Sequence, residues 1–303
     1  MNSLQLAKQR VKALQHHHIS PNTERNYRRA LNSYRVHFKR FFPNEDPLPP
    51  TTDKLCAFIL TYYEENPSTT YQYLGNFASA IKFYIFENNL ESINESEYKN
   101  FMISIKREFK LDHTLYAKKP ITPDILTKIC QLPDTTPSLH EMLAFISIGY
   151  YGIMRCSEII HLLHKDIKVI SPSNIEFIIR NSKTDQTGKG SPISLAYSDS
   201  PYSPFKHFVN YMTPIWDPES SNPIFPHSYT YYNDKIKLLI SLVGEDPREF
   251  ATHSLRHGAA HQGALKKVPV YAIKNAGRWK SEAYTRYTDM TQKEANELIT
   301  PFL

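Results

Sequence analysis

The sequence predicts a mainly α-helical protein with one small antiparallel β-sheet, organised as two domains. Apolar residues recur at helical spacing early in the chain, as in Tyr27, Leu31, Tyr34 and Phe38. One region, residues 167–195, contains runs of β-branched residues separated by turn signals. Because 41% of the 303 residues are apolar, the chain is expected to fold, and its length suits two domains with a core each.

The first domain is predicted to be helical and to cover residues 1–110. Its first long helix begins after Ser20, because serine caps helix N-termini and Pro21 suits the first turn. Residues 111–120 show little periodicity and are predicted to be an interdomain linker. Three further helices are predicted over residues 53–64, 68–88 and 95–109.

The second domain is predicted to cover residues 121–303 and to contain the sheet. Thr122 and Pro123 begin a helix that runs through Cys130, and residues 140–151 are apolar nearly all round, as in a buried helix. Lys183 lies in a predicted hairpin. The strands are expected at 167–170, 175–179 and 193–195, and later helices at 204–212, 229–243, 253–265, 269–276, 280–287 and 292–299.

Basic residues are concentrated near the N-terminal end of the chain. The whole sequence carries a net charge of +6, whereas residues 1–42 alone hold nine Lys or Arg and one acid, Glu24. A basic helix face of this kind suits the phosphate backbone of double-stranded DNA, although the same pattern also occurs on a merely solvated surface. The candidate DNA-binding residues are Arg25, Arg28, Arg29, Arg35 and Lys39.

Several classes of protein are disfavoured by the composition. No run of eighteen or more apolar residues occurs, and the first residues lack a signal-peptide pattern, so we expect an intracellular protein. Cys56, Cys130 and Cys156 are far apart, which disfavours a disulfide framework or a zinc cluster. The run His16-His17-His18 lies in a polar stretch and gives little indication of metal binding. We therefore expect no metal and no cofactor.

Seven polar or aromatic residues form an ordered series in the second domain. Arg155 follows the predicted buried helix, and Glu158 lies one turn later, where it can pair with Arg155. His253 and Arg256 are three residues apart and share a helix face. Taken singly, each residue has an ordinary structural explanation. The series in chain order is Arg155, Glu158, Lys183, His253, Arg256, Trp279 and Tyr287.

This order resembles the active-site series of the tyrosine recombinase family. Residues 252–260, Thr-His-Ser-Leu-Arg-His-Gly-Ala-Ala, are similar to its His-x-x-Arg-His motif, and residues 276–279, Ala-Gly-Arg-Trp, resemble its Gly-x-His/Trp segment. Residues 182–185 resemble its hairpin lysine, residues 119–122 the start of its catalytic domain, and residues 20–34 its DNA-clamping domain. Tryptophan at 279 is most similar to Crypton-type and other eukaryotic mobile-element recombinases, and to Cre-like enzymes.

The resemblance implies a helical core-binding domain followed by an α+β catalytic domain. It also implies a site-specific recombinase or integrase that cuts and rejoins DNA through a 3′-phosphotyrosine, without metal or ATP. Two arginine forks suit the equatorial oxygens of a phosphorane, and tyrosine can conserve the bond energy. The implied roles are nucleophile for Tyr287, phosphate clamp for Arg155 and Arg256, hydrogen bonding or proton acceptance for His253, leaving-group protonation for Lys183, phosphate contact for Trp279, and orientation of Arg155 or His253 for Glu158.

Alternatives stay open at this point. Tyr284 competes with Tyr287 as the nucleophile. The same groups would serve a type IB topoisomerase-like nicking and closing enzyme, and a domesticated DNA-binding protein or a helical scaffold would need no chemistry. The family resemblance also implies that residues 292–303 dock on a neighbouring subunit and join a homo-tetramer on two DNA duplexes, although the tail could instead pack on its own domain. The protein is expected to reside with genomic DNA, in the nucleus if the source is eukaryotic.

Overall fold

The chain divides into two compact units, Met1–Tyr116 and Ala117–Leu303. The computed structural model describes residues 5–7, 10, 19–110, 118–133, 137–171, 173–180, 190–288 and 294. Residues 111–117, most of the predicted linker, lie outside the described residues, so the linker and the exact domain boundaries stay predictions. None of the helices within the described residues is long and apolar enough to cross a membrane.

The first unit is a small bundle of long helices around an aromatic core. Its helices begin at side-chain caps: Ser20, Thr51, Thr70 and Asn94 each accept a hydrogen bond from a backbone N–H of the following first turn. The cap at Thr70 explains why the third helix begins three residues later than the predicted residue 68. The helices are α1 (Pro21–Phe41), α2 (Thr52–Glu65), α3 (Tyr71–Asn88) and α4 (Glu95–Glu108).

The core of the first unit is formed by the apolar faces predicted from helical spacing. Tyr34 and Phe38 of α1 are buried against Phe58 of α2, and Phe58 packs edge-on against Phe77 of α3. The buried Tyr34 hydroxyl donates to the Pro47 carbonyl at 2.8 Å, which satisfies its polar end. Burial of this face turns the basic face of α1 toward solvent.

The second unit combines helices with a three-stranded antiparallel sheet of order β1-β2-β3. In the central strand, Ile175, Phe177 and Ile179 are buried and alternate with less buried residues, as expected for a sheet with one face on the core. The predicted class, mainly α with a small antiparallel sheet, is confirmed. The strands are β1 (Ile167–Ser171), β2 (Asn174–Ile179) and β3 (Ser191–Ala196).

The helices of this unit place the predicted buried helix at its centre. Helix α6 (Pro137–Tyr151) is buried along most of its length, and α10 (His253–Leu265) lies against it. The remaining helices are α5 (Pro123–Cys130), α7 (Cys156–Ile159), α8 (Pro204–Met212), α9 (Tyr229–Leu242), α11 (Val270–Ala276) and α12 (Thr285–Thr288), with 3-10 turns at His164–Asp166, Pro247–Glu249 and Glu282–Tyr284.

Two segments differ from the sequence prediction. The amphipathic spacing that follows Glu158 predicts helix as far as His164, but α7 ends at Ile159, after which the Ile224 backbone N–H donates to the Leu162 carbonyl at 2.9 Å. The helix expected over 280–287 is instead a 3-10 turn, in which Ser281 accepts from the backbone N–H of Ala283, followed by α12. The last predicted helix, 292–299, lies outside the described residues except at position 294.

Gly258 allows α10 to approach the chain closely at the start of the second unit. A Cβ at this position would lie 1.9 Å from the carbonyl oxygen of Ile121, whose N–H donates to the Ser254 carbonyl at 3.0 Å. We expect Gly258→Ala to lower the free energy of unfolding by about 3 kcal/mol, because backbone cannot move aside as a side chain does. Denaturant unfolding measures the change.

The matched control for that substitution lies in the same helix. Among the described residues, a Cβ at Gly263 would meet only the Ile273 side chain, at 3.3 Å. Gly263→Ala should therefore change the stability much less, because a side chain can give way and alanine favours helix. Equal losses in the two variants would contradict the close-approach argument.

Candidate active site

Helix α10 brings His253 and Arg256 to one place at the edge of the core. The helix begins at His253, after the buried residue Thr252. The Arg256 residue is only 1% exposed, whereas His253 keeps an exposed face. The two residues are one turn apart, so they lie on the same side of the helix, as their spacing predicts.

Arg256 is held by two backbone carbonyls and an indole ring. Its Nη1 donates to the Ile153 carbonyl at 2.6 Å, and its Nη2 donates to the Gly277 carbonyl at 2.5 Å. Its Cζ lies 4.0 Å from the centroid of the Trp279 ring, in a cation–π contact. Burial, and then the charge of Arg155, lower the pKa of the Arg256 guanidinium, but a guanidinium stays charged in proteins.

One hydrogen-bond donor of Arg256, its Nε, is not used by these contacts. Within the part of the chain that the structure describes, its buried Nε has no hydrogen-bond partner. Buried N–H groups are normally satisfied, so an orphaned one on a charged side chain indicates a missing anionic or polar partner. This donor is a candidate contact for an oxygen of a bound ligand.

The turn after α6 supplies one of the two carbonyls. Ile153 has φ of 45°, in the left-handed region that a β-branched residue rarely adopts. The turn is held by hydrogen bonds from the Ile153 N–H to the Tyr150 carbonyl at 3.1 Å and from the Met154 N–H to the Gly149 carbonyl at 3.0 Å. Its strained backbone directs the Ile153 carbonyl oxygen to two arginines, Arg256 and Arg278.

Arg155 and Glu158 form the pair that their spacing predicts. The Arg155 backbone N–H donates to Glu158 Oε2 at 2.8 Å, and Arg155 Nη1 donates to Oε1 at 2.7 Å. The Glu158 side chain is 1% exposed and that of Arg155 is 19% exposed. Burial alone would raise the pKa of Glu158, but Arg278 and Arg155 lower it overall, so the carboxylate is charged.

Arg278 is a member of the site that sequence reasoning missed. Its Nη2 donates to Glu158 Oε2 at 2.8 Å, although 120 residues separate the two in the chain. The sequence shows it only as the variable position between Gly277 and Trp279. The position of Arg278 inside the Gly-Arg-Trp segment suggests that it lies near the site, but the sequence does not indicate that its partner is Glu158.

Tyr287 lies against His253 and Trp279. The Tyr287 hydroxyl is 2.5 Å from His253 Nε2, and the donor depends on the histidine tautomer. The Tyr287 ring lies 5.4 Å from the Trp279 ring and 5.8 Å from that of His257 between centroids. The surrounding protein, and the charges of Arg256 and Arg155, lower the pKa of His253, so its imidazole is neutral near pH 7 and can accept a proton.

Trp279 connects Arg256 with Tyr287, because its indole ring contacts both side chains. The Trp279 residue is 8% exposed. A Cβ at Gly277 would lie 1.7 Å from Trp279 Cζ3, so glycine at that position makes room for the indole ring. The structure therefore brings Arg155, Glu158, His253, Arg256, Trp279 and Tyr287 together within the second unit.

The structure shows where the competing tyrosine, Tyr284, lies, but it does not describe the hairpin lysine, Lys183. Tyr284 lies in the 3-10 turn, where its hydrogen bond with Glu282 raises the pKa of its hydroxyl and its ring lies 5.4 Å from Lys274 Nζ. It is Tyr287 whose hydroxyl meets His253. Lys183 lies outside the described residues, so its place in the site stays a prediction.

The predicted basic face is carried by α1 of the first unit. Arg25, Arg28 and Arg29 are exposed, and Arg28 also pairs with Glu24 at 2.6 Å. Arg35 is half-buried, with its Cζ 5.4 Å from the Tyr84 ring, and Lys39 Nζ donates to the Glu45 carbonyl at 3.0 Å. The three exposed arginines are thus the most available for an anionic partner.

Comparison with known proteins supports a recombinase fold. No protein-family model matches the chain. A curated relative, the "Integrase/recombinase xerD homolog" of Selenomonas ruminantium, is 28% identical over 181 residues, which cover 55% of this chain and 52% of the relative. The chain therefore spans about half the length of that relative.

Solved structures match over most of the chain. The Tn1549 transposon integrase in complex with circular intermediate DNA matches with a TM-score of 0.65 and 15% identity, covering 95% of this chain and 97% of that one. The XerH site-specific recombinase bound to a palindromic difH substrate matches with a TM-score of 0.62 and 15% identity, covering 88% and 77%. The chain has the tyrosine recombinase fold.

The tyrosine recombinase fold confirms the resemblance expected from the ordered series of motifs. In this chain the six described members of the series are distributed over four separate segments of the second unit: the turn and α7 after α6, helix α10, the segment after α11, and α12. The tyrosine recombinase fold therefore explains why residues more than a hundred positions apart contact one another.

Proposed function

We propose that this protein is a site-specific DNA strand transferase, a recombinase or integrase that uses Tyr287 as its nucleophile. The observation that carries the proposal is the Tyr287 hydroxyl, 2.5 Å from the neutral His253 imidazole and beside the buried Arg256. A nucleophile next to a proton acceptor and a fixed cation is the arrangement that attack on a phosphodiester needs. Double-stranded DNA is the proposed substrate.

The proposed reaction needs no external energy source such as ATP, because the energy of the broken phosphodiester bond is kept in the Tyr287–phosphate bond. As the Tyr287 oxygen attacks phosphorus, its proton passes to His253 Nε2, a Tyr287–phosphate bond forms, and the bond from phosphorus to the 5′ oxygen breaks. The departing 5′ oxygen takes a proton from a general acid, for which Lys183 is the proposed donor. Rejoining reverses these steps with a 5′ hydroxyl as the nucleophile, so neither ATP nor a cofactor is consumed.

The proposed phosphate clamp has a rigid and a more accessible member. Arg256 is fixed by the Ile153 and Gly277 carbonyls and keeps its buried Nε as a donor without a partner among the described residues. Arg155 is more exposed and is held by Glu158 at one of its two Nη atoms. A preorganised cation stabilises the developing phosphorane charge more than a mobile one does.

The direct test is to map the covalent adduct. The purified protein is incubated with a nicked suicide DNA substrate of its element's junction sequence, and the DNA-linked peptide is identified by mass spectrometry. We expect the adduct on Tyr287. Religation of the same strand only would favour a topoisomerase-like enzyme, and specific binding without an adduct would favour a DNA-binding protein without catalysis.

A second prediction concerns the basic face of α1. Reversing Arg25, Arg28 and Arg29 to glutamate should weaken DNA binding and flatten the dependence of log Kd on log salt, by about 0.9 for each phosphate that the protein no longer neutralises. Fluorescence anisotropy over a salt series measures both effects. The matched control reverses three exposed basic residues of α4, Lys99, Lys106 and Arg107, and should change the slope less. An unchanged slope in the α1 variant would remove this face from the interface.

We also propose assembly into a homo-tetramer on two DNA duplexes through residues 292–303. This segment lies outside the described residues apart from 294, and the support is its sequence, which ends in Leu298, Ile299, Phe302 and Leu303. Light scattering of the DNA complex, with and without these residues, tests it. A tetramer that persists without the tail would contradict the assignment. With genomic DNA as substrate, the proposed location is the nucleus if the source is eukaryotic.

A further inference from the structure

Arg278 lies in the proposed site with both of its Nη atoms bonded to protein acceptors, while its buried Nε, like that of Arg256, has no hydrogen-bond partner among the described residues. Its Nη1 donates to the carbonyls of Gly152 at 3.1 Å and Ala276 at 2.8 Å. Its Nη2 donates to the Ile153 carbonyl at 3.2 Å and to Glu158 Oε2 at 2.8 Å. Four acceptors therefore use the four N–H bonds of the two Nη atoms, and the side chain is only 11% exposed.

We infer that Arg278 is a positioning residue of the strand-transfer reaction, which offsets the negative charge of Glu158 and so leaves the charge of Arg155 available to the phosphate. The inference rests on the proposed function. It assigns a third arginine to the site, one that acts through its contacts with Glu158 and with the turn that precedes Arg155.

The first support is the way in which Glu158 is shared. Its Oε1 accepts from Arg155 Nη1, while its Oε2 accepts from the Arg155 backbone N–H and from Arg278 Nη2. A buried carboxylate must be compensated by cations or donors. With Arg155 as its sole cation, Glu158 would cancel the charge of the residue proposed to bind the phosphate.

The second support is the charge of the cluster. Arg155, Arg256 and Arg278 each carry a positive charge and Glu158 a negative one, so the described cluster has a surplus of two positive charges. Without Arg278 the surplus would be one. A phosphorane carries more negative charge than the phosphodiester it comes from, so the second positive charge acts mainly in the transition state.

The third support is the backbone of Arg278. Its φ of 58° lies in the left-handed region, which favours glycine over residues that have a Cβ. Local conformation therefore gives no reason for an arginine at this position. The reason lies in its contacts, which hold Glu158 and the turn at Gly152 and Ile153 in one network.

The experiment compares Arg278→Met with the double variant Glu158→Gln/Arg278→Met. Single-turnover cleavage of the suicide substrate is measured at saturating DNA, together with Kd and thermal unfolding. We expect Arg278→Met to cleave about 10²-fold more slowly, with little change in Kd, because the lost charge acts in the transition state. The double variant should cleave faster than Arg278→Met, since the neutral amide no longer opposes Arg155.

Two further variants serve as controls, one for the charge of Arg278 and one for the loss of an arginine elsewhere in the same unit. Arg278→Lys restores the charge without the four-way hydrogen bonding and should recover part of the rate. Arg248→Met removes an exposed arginine of the same unit, paired with Asp246, and should leave the cleavage rate unchanged. If a variant is too unstable to assay at ordinary temperature, the same rates are compared below its unfolding transition.

The outcomes separate the inference from the proposed function. If the unsubstituted protein forms no Tyr287 adduct, the proposed function fails and the inference fails with it. If it forms the adduct and Arg278→Met cleaves at the same rate, only the inference is overturned. A double variant that cleaves no faster than Arg278→Met would show a merely structural role, and would overturn it too.

Discussion

Replacing Tyr287 with phenylalanine should abolish the covalent protein–DNA adduct and leave DNA affinity intact. The phenylalanine ring keeps the packing of Tyr287 against the Trp279 and His257 rings, so the substitution removes only the hydroxyl beside His253. Because that oxygen is the proposed nucleophile, loss of the adduct should be complete within detection. Denaturing gel electrophoresis of a suicide-substrate reaction, with anisotropy for Kd, measures both quantities.

Tyr284→Phe is the matched control for this prediction. Tyr284 is three residues away, where Glu282 raises the pKa of its hydroxyl, whereas it is the Tyr287 hydroxyl that lies 2.5 Å from His253 Nε2. This variant should form the adduct at close to the normal rate. The opposite result, with an adduct in Tyr287→Phe and none in Tyr284→Phe, would transfer the nucleophile to Tyr284.

Arg256→Ala should have the second largest effect, on both cleavage and stability. Cleavage should fall by about 10³-fold or more, because the variant lacks both the fixed cation and the buried Nε donor. The free energy of unfolding should fall by about 2 kcal/mol or more, because the Ile153 and Gly277 carbonyls no longer receive hydrogen bonds from the arginine. Single-turnover kinetics and denaturant unfolding report the two losses.

Arg155→Ala provides the comparison that separates these effects. Arg155 is also expected to be essential for cleavage, but its more exposed side chain makes a smaller contribution to the core. The variant should lose cleavage with a smaller loss of stability and largely normal DNA affinity. Normal cleavage in either arginine variant would contradict the proposed phosphate clamp.

Local signals in the sequence were sufficient for most of the fold. The caps at Ser20 and Thr122 fix where helices begin, because their side chains bond to backbone only three residues away. The alternation in β2 identifies its buried face, because side chains on a strand alternate between faces. The segment after Trp279 was predicted less well, since a 3-10 turn at Glu282–Tyr284 precedes α12 where the sequence predicts one regular helix.

The sequence was sufficient to predict which residues form the candidate site, but not which of them contact one another. The pair Arg155 and Glu158 follows from helical spacing, whereas the bond from Arg278 to Glu158 joins residues 120 positions apart and depends on the tertiary fold. The left-handed backbone of Ile153 was equally hidden, because nothing about a β-branched residue indicates such a conformation. Lys183 lies outside the described residues and stays a prediction.

The carbonyl oxygen of Ile153 links the hydrophobic core of the second unit to the arginines of the candidate site. Arg256 and Arg278 both donate to this one atom, and its position is set by the end of the buried helix α6. A small tilt of α6 would therefore move two guanidinium groups at once. We therefore expect packing changes among buried residues such as Phe145 or Ile148 to shift both guanidinium groups, without any charged group being replaced.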